Sequence, residues 1–404
     1  MNVLQIDSCC NIYSTGRIAE GIGKEIIKSG GKSFIAYGRY ANESTSIRIK
    51  IGNNFSLIFH LLLTRIFDKH GFGSKLSTIN IIKKLDLIKP DLVHLHDIHG
   101  YYINVELLFN YLKKTNIPVV WTQHSLWAIT GHCAYFDRVN CFKWKKLCSN
   151  CPQKKSYPAS FLFDRSTLNH LIKRNLFTSI KNMKIVAVSN WIKKYLEESY
   201  LNKYEIITIY NGIDTNIFNI RENQIRKEYD LEKNYLILGV ASHWEERKGL
   251  RDFIMLSKYI ENDCKIILIG LDRKHIKRLP KNIIGVGKIK DPYKLAEFYS
   301  SSDVFFNPTW EDNFPTTNLE ALSCGIPVVT YNTGGSPESV DKDTGYVVEK
   351  GDIKSVLEII RVIKKKGRDF YRNKCRLRAL KYFNQETNYK KYIELYNEMI
   401  INKK

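Results

Sequence analysis

Short β-branched runs alternate with amphipathic helical segments along most of the chain, and this alternation constrains the fold more than any other feature. Residues 3–6 read as a strand. A polar loop then runs to Gly16, a helix covers 17–29 and stops at Gly30-Gly31, and 33–37 is the next strand. Leu92–Leu95, 119–122 and 185–188 are further buried strands. The scheme then repeats: strand 236–240, helix 249–259, then 265–269, Ile283–Val286, 295–300 and Val304–Asn307, helix Thr316–Ser323 and strand 327–330. Strands alternating with helices predict parallel sheets wound with right-handed crossovers. The turn signal at Asn211-Gly212 separates the two series. The expected domains are 1–208 and 209–380, followed by a closing helical segment, 381–404, that carries Tyr389, Tyr392, Ile393, Leu395, Tyr396 and Met399.

A chain of 404 residues, 44% hydrophobic and 26% charged, can bury a sizeable core without staples. No apolar run reaches the roughly 18 to 20 residues that span a bilayer. The longest, 57–67, is interrupted by His60, Thr64 and Arg65. The first residues read as a buried strand with no basic region ahead of them, so no signal peptide is expected. The expected location is cytoplasmic, with peripheral contact at the inner face of the membrane. The formal net charge is +22. One reading is attraction to anions such as nucleotide phosphates or anionic lipid headgroups; the other is a composition rich in Lys, Asn, Ile and Tyr throughout. The excess gathers at Lys143, Lys145, Lys146, Lys154 and Lys155, at Lys173 and Arg174, and at Lys364, Lys365 and Lys366. No aromatic residues interleave with these in the manner of an RNA-binding motif, so nucleic acid is not an expected partner.

Pro308 stops the strand Val304–Asn307. A polar loop leads to Pro315 at the expected first helical position, with Asn313 placed to cap. A helix start after a strand offers free N–H groups and a positive dipole end, which suit phosphate. Thr316 and Thr317 sit in the first turn, and Glu320, one turn on, suits a ribose diol. Glu311 and Asp312 stand ahead of the helix, where they suit sugar hydroxyls. Arg247-Lys248-Gly249, after the strand 236–240, adds two cations fit for a diphosphate. Thr333-Gly334-Gly335 follows the strand 327–330 and allows close backbone approach. All three loops fall at carboxyl ends of parallel strands, where such sheets bind ligands. A capped helix that packs Leu319 and Leu322 is the plainer alternative. His124, at the end of the strand 119–122, suits a sugar hydroxyl or charge stabilisation. His96 and His99 follow another strand end.

In this order the pieces resemble the retaining glycosyltransferases of family 4, with the GT-B fold of two Rossmann-like domains facing across a cleft. The carriers are Ser14-Thr15-Gly16, Pro90 through His96, Thr122-Gln123-His124, Asn211 through Asp214, Arg247-Lys248-Gly249, and Glu311 through Gly335. The resemblance implies transfer of a sugar from a nucleoside diphosphate sugar to a glycan or lipid-linked acceptor, with retention. Lys248 and Arg247 would neutralise the diphosphate, and Glu320 would hold the ribose. His124, Asp312 and Glu311 would lie at the transferred sugar. Gly16, Ser242, Asn313, Phe314, Pro315, Thr316 and Thr317 would complete the donor site. The closing helix would cross back to the first domain, and no cofactor would be needed for catalysis. Two positions depart from the family pattern. The residue eight before Glu320 is Asp312 rather than Glu, and the residue six before Lys248 is Ser242 rather than Arg. A nucleotide-sugar epimerase or hydrolase on the same fold is the alternative.

Of nine cysteines, Cys133, Cys141, Cys148 and Cys151 form Cys-x7-Cys-x6-Cys-x2-Cys in a segment, 131–155, that reads as an insertion. Four soft donors suit a closed tetrahedral zinc site. Reduced structural thiols, or a redox pair at Cys148 and Cys151, are the other readings.

Overall fold

A computed structural model describes residues 1–222 and 224–402; Lys403 and Lys404 of the expected closing segment lie outside them. The chain forms two units, Met1–Tyr210 with Asn388–Lys404, and Asn211–Thr387. The division falls two residues past the expected boundary, and the chain re-enters the first unit at Asn388 rather than 381.

The first unit contains β1 (Asn2–Cys10), β2 (Lys32–Ala41), β3 (Ile47–Lys50), β4 (Leu92–Leu95), β5 (Val119–Gln123), β6 (Met183–Ala187) and β7 (Ile206–Thr208). They form one parallel sheet in the order β3-β2-β1-β4-β5-β6-β7. The second unit contains β8 (Tyr235–Val240), β9 (Cys264–Ile269), β10 (Ile283–Val286), β11 (Val304–Asn307), β12 (Val328–Tyr331) and β13 (Gly345–Val348). Its order is β10-β9-β8-β11-β12-β13, again all parallel. In each sheet the winding reverses once, between β1 and β4 and between β8 and β11. Loops at the carboxyl ends of those strands flank a crevice by construction, which is where doubly wound sheets bind ligands.

The central strands are buried on both faces, as in sheets covered by helices on both sides. The helix Gln385–Ile401 closes the first unit, burying Tyr389, Tyr392, Leu395, Tyr396 and Met399 against Val3, Ile22, Leu92 and Val120. Gly21, on the helix Tyr13–Lys28, makes this packing fit: a Cβ there would stand 2.3 Å from the Tyr389 ring. The segment before this closing helix runs beside the turn at Asn211-Gly212. Ile213 N–H donates to Phe383 O (2.9 Å) and Gln385 N–H to Ile213 O (3.0 Å).

Gly16 was expected in a loop, but the helix already begins at Tyr13, so Gly16 lies in its first turn. Its carbonyl accepts from Asn11 N–H at 3.1 Å. The basic clumps are also less available than their sequence suggests. Lys173 is fully buried, Lys145 pairs with Glu198 (2.7 Å), and Lys364 pairs with Glu261 (2.7 Å) and Asp263 (2.8 Å). Among the described residues, no helix is long and apolar enough to cross a membrane.

Candidate functional site

In the second unit, β8, β11 and β12 are neighbours, and the loops at their carboxyl ends are tied to one another. Beyond β8, a short 3-10 turn, Glu246–Lys248, carries both expected cations. Lys248 Nζ lies 2.5 Å from Asp312 Oδ2. Arg247 Nη1 donates to Glu311 O (3.3 Å), and Trp310 N–H donates to Arg247 O (2.8 Å). Burial works to raise the Asp312 carboxyl; Lys248 and Arg247 outweigh it and hold the group below the usual carboxylate range. The loop after β12 closes the set through Gly335 N–H to Asn313 O (3.0 Å). The Glu311 side chain is buried and Ser242, just past β8, is exposed.

The helix Thr316–Ser323 begins where the sequence predicts, but its cap differs. Pro315, with φ −70°, takes the capping position, and a proline has no side-chain acceptor to offer. The Asn313 backbone is tied in: its N–H donates to Asp312 Oδ1 (2.9 Å) and its carbonyl accepts from Gly335. Thr316 and Thr317 stand half-buried in the first turn. A first turn at a strand's carboxyl end is well disposed to an anion. Phe314 is buried, its ring centroid 5.9 Å from that of Phe383. Glu320 faces inward, and its Oε2 accepts from Tyr299 OH at 2.9 Å. Burial first, and then the Glu320 charge, push the Tyr299 phenol well up, so it stays a donor to that carboxylate.

Beneath the loops lies a polar brace that the sequence did not reveal. Asn307 Nδ2 donates to Asn318 Oδ1 (2.7 Å), and Asn318 Nδ2 donates to Ser336 Oγ (3.1 Å) and Ser339 Oγ (2.9 Å). Asp252 accepts from Trp310 Nε1 (2.8 Å) and Tyr331 OH (2.9 Å). These buried bonds join the end of β11, the phosphate-type helix and the loop after β12, so the three loops hold one geometry.

In the first unit, the strand ends at the winding reversal carry a histidine chain. Gln5 Nε2 donates to Ala19 O (2.8 Å), which leaves Gln5 Oε1 to accept from His96 Nε2 (3.0 Å). His96 Nδ1 is then the acceptor for His124 Nε2 at 3.1 Å. Burial holds both rings below the ordinary imidazole range; for His124, Asp97 pulls upward against it. His99 bonds Ser125 Oγ (3.2 Å) and Tyr157 OH (3.1 Å) and stands 3.4 Å from Asp97. The structure thus joins His124 to His96 and sets His99 on a separate branch. Asp7, which no motif flagged, is fully buried, and burial followed by the Asp97 charge raises its carboxyl well above the usual range.

The four clustered thiols lie in the expected insertion of the first unit. Cys133 and Cys151 share a hydrogen bond, which pulls the Cys151 thiol down to about 7. Gly131 N–H donates to Cys148 Sγ (3.2 Å) and Cys148 N–H donates to His170 Nδ1 (2.8 Å). Among the described residues, one group of three ligand-type side chains has all its ligand atoms within 4.8 Å of one another: Glu261, Asp263 and Cys264. The Lys364 ammonium bonds both carboxylates of that group, so it is an ion-pair network. The four thiols are more loosely spaced, although their soft donor set fits zinc chemically.

Two family descriptions match the chain: "Glycosyltransferase Family 4" over residues 54–217 and "Glycosyl transferases group 1" over 234–364. A glycosyl transferase of Escherichia coli (strain K12), provisionally assigned to colanic acid biosynthesis, is 23% identical over 89% of this chain and 90% of its own. The E. coli enzyme described as UDP-Gal:alpha-D-GlcNAc-diphosphoundecaprenol alpha-1,3-galactosyltransferase is 25% identical over 73% of this chain and 79% of its own. The crystal structure of Anabaena HepE in complex with UDP-glucose superposes with a TM-score of 0.68 at 14% identity, covering 98% of this chain and all of that one. The fold shared with such structures is GT-B.

Proposed function

For this chain, which belongs to the family 4, group 1 glycosyltransferases, we propose transfer of a sugar from a nucleoside diphosphate sugar to a lipid-linked glycan, with retention at the anomeric carbon. The observation that carries the reading is the set of three mutually bonded loops at the ends of β8, β11 and β12. They bring Arg247, Lys248 and Asp312 together beside the start of the helix Thr316–Ser323. The diphosphate lies against Lys248, Arg247 and the first-turn N–H groups at Thr316 and Thr317, and Glu320, held by Tyr299, takes the ribose hydroxyls. Glu311 and Asp312 compete for the donor sugar. The Lys248 pairing makes Asp312 the better placed, because the sugar follows directly on the phosphate. As the anomeric C–O bond breaks, charge grows on the leaving phosphate, where fixed cations stabilise it. The acceptor oxygen attacks from the same face, and its proton passes to the departing phosphate oxygen. Within the first unit, His124, oriented by His96 and Gln5, is the candidate to bond a sugar hydroxyl. The acceptor class is supported by the diphosphoundecaprenol-linked substrate named for one relative.

A thermal-shift panel of nucleoside diphosphate sugars tests the donor reading, with UDP sugars first because HepE holds UDP-glucose. At least one is expected to raise the melting temperature, and Glu320→Gln, which keeps an acceptor for the buried Tyr299 hydroxyl, to reduce that rise markedly. A panel without any response removes the reading. Donor turnover in the absence of any glycan would favour an epimerase or hydrolase instead.

The thiol cluster is read as a structural zinc site of Cys133, Cys141, Cys148 and Cys151. Besides the donor set, buried Lys173 supports this. Its ammonium bonds the carbonyls of Trp127 (2.9 Å) and Thr130 (3.1 Å) and lies 3.4 Å from the Trp127 ring centroid, and among the described residues no carboxylate is in ion-pair contact with it. A buried cation needs a counter-charge, and a zinc tetrathiolate beside it carries two negative charges. Protein purified without chelator is expected to hold about one zinc per chain. Metal-free protein with four titratable thiols would remove the site.

A further inference from the structure

The helix Asn54–Phe67 is built inside out. Its buried residues are His60 and Thr64, and both have hydrogen-bond partners within the unit. His60 Nδ1 meets Ser74 Oγ at 2.9 Å, and its Nε2 accepts from Gly71 N–H and Gly73 N–H at 3.2 Å each. The outward face instead carries Phe55 (79% exposed), Ile58 (57%), Phe59 (54%) and Leu62 (50%). The spacing i, i+3, i+4, i+7 makes these one continuous apolar stripe on the solvent side. Isolated exposed apolar residues need no explanation, but a contiguous stripe of this kind marks a contact surface.

A second segment extends the stripe. Phe161, Leu162 and Phe163, all more than half exposed, follow the cysteine insertion and bind back onto the end of the helix. Phe161 N–H donates to Arg65 O (2.7 Å) and Phe163 N–H to Ile66 O (3.1 Å). Phe163 stacks on Phe67 with centroids 5.6 Å apart, and the Arg65 guanidinium lies 5.4 Å from the Phe161 ring. The two segments are therefore one surface rather than two loose features.

From this surface we infer that the first unit docks in the headgroup region of an anionic bilayer, with the helix Asn54–Phe67 lying in the membrane plane and the 161–163 loop inserted beside it. Charge selects this occupant. Residues 53–69 and 152–165 contain Arg65, Lys69, Lys154, Lys155 and Arg165 against two acidic residues: Asp68, which is fully buried, and Asp164, whose carboxylate accepts from Cys151 N–H and Ser166 N–H; Lys69 sits over Phe67 at 5.9 Å. Basic residues around an inserted apolar face gain from anionic lipid. A second copy of the chain, at +22, would instead bring like charge against like. The surface also continues toward the candidate acceptor side: Tyr157, at the start of the same loop, bonds His99 through its hydroxyl. Docking here would hold that histidine branch close to the plane from which a lipid-linked acceptor emerges. The inference stands apart from the donor reading, because a chain that docks on vesicles without taking a nucleotide sugar would keep the one and lose the other.

The test is co-sedimentation of the full chain with vesicles of phosphatidylglycerol and phosphatidylethanolamine, and separately of phosphatidylcholine, at low and high salt. The chain is expected to pellet with the anionic vesicles and to bind the neutral ones at least about tenfold more weakly. Phe55→Glu with Phe59→Glu, and independently Phe161→Glu with Leu162→Glu, should each weaken binding about tenfold or more. Both pairs should keep the wild-type melting temperature and donor response, since these side chains are solvent-exposed. Lys154→Ala with Lys155→Ala should reduce the anionic preference. Vesicle binding untouched by both apolar variants would mean charge adsorption alone and overturn the inference. A dimer in light scattering that Phe59→Glu dissolves, without vesicle binding, would assign the surface to a second copy.

Discussion

Lys248→Ala is expected to lower kcat by about 10²–10³-fold and to abolish the melting-temperature rise that the donor produces. The Lys248 ammonium lies 2.5 Å from Asp312 Oδ2, and it sits on a turn whose backbone is pinned through Arg247 O to Trp310. Removing it has two effects. The leaving diphosphate loses a fixed cation where charge develops, and the partly buried Asp312 carboxylate loses the partner that holds its proton off. The second effect is separable. Lys248→Ala with Asp312→Asn removes both charges, so it should recover stability lost through the stranded carboxylate without recovering turnover. Turnover and donor shift unchanged in the single variant would sink the assignment of Lys248 to the phosphates.

Gly334→Ala should be nearly as damaging, through the backbone. Gly334 has φ +55°, and a Cβ there would lie 1.6 Å from Asp312 O, a backbone atom that cannot swing aside. The loop 311–313 would have to move, taking with it the Gly335-to-Asn313 bond and the Lys248–Asp312 contact. A loss of about 2–4 kcal/mol in unfolding stability is expected from the combined strain and clash, measured by denaturant titration. Donor affinity should fall at the same time. A variant with wild-type stability and donor binding would show that the loops tolerate separation.

Both predictions concern positions that the sequence placed well, and the reason is physical. The strands Leu92–Leu95, Ile283–Val286 and Val304–Asn307 and the helix Thr316–Ser323 were legible to the residue, because buried parallel strands are compact apolar runs closed by turn residues. Three of the border strands were not legible. β3, β7 and β13 are short border strands, and β3 is mostly exposed, so none shows a strong apolar pattern. Ser14-Thr15-Gly16 read as loop because each disfavours a helix interior, yet it forms a first turn, where that penalty is small. Asn313 read as the capping residue from spacing alone, but the helix begins at Thr316, with Pro315 at the capping position. The brace of Asn307, Asn318, Ser336 and Ser339 left no trace in periodicity, because its partners come from different elements. Lys173 looked like part of a surface clump for the same reason: a charge run in sequence says nothing of which member the fold turns inward.

The closing helix Gln385–Ile401 has a consequence for how the molecule is made. On a ribosome, the second unit emerges as one uninterrupted stretch, Asn211–Thr387, and has all its strands before synthesis ends. The first unit begins earlier yet finishes later. Its core includes Tyr389, Tyr392, Tyr396 and Met399, which are made after the whole of the second unit. Until then Val3, Ile22, Leu92 and Val120 have an uncovered face. The unit that is translated first therefore waits, incompletely packed, for a helix that lies beyond the second, and the two units complete their cores in the reverse of the order in which they begin.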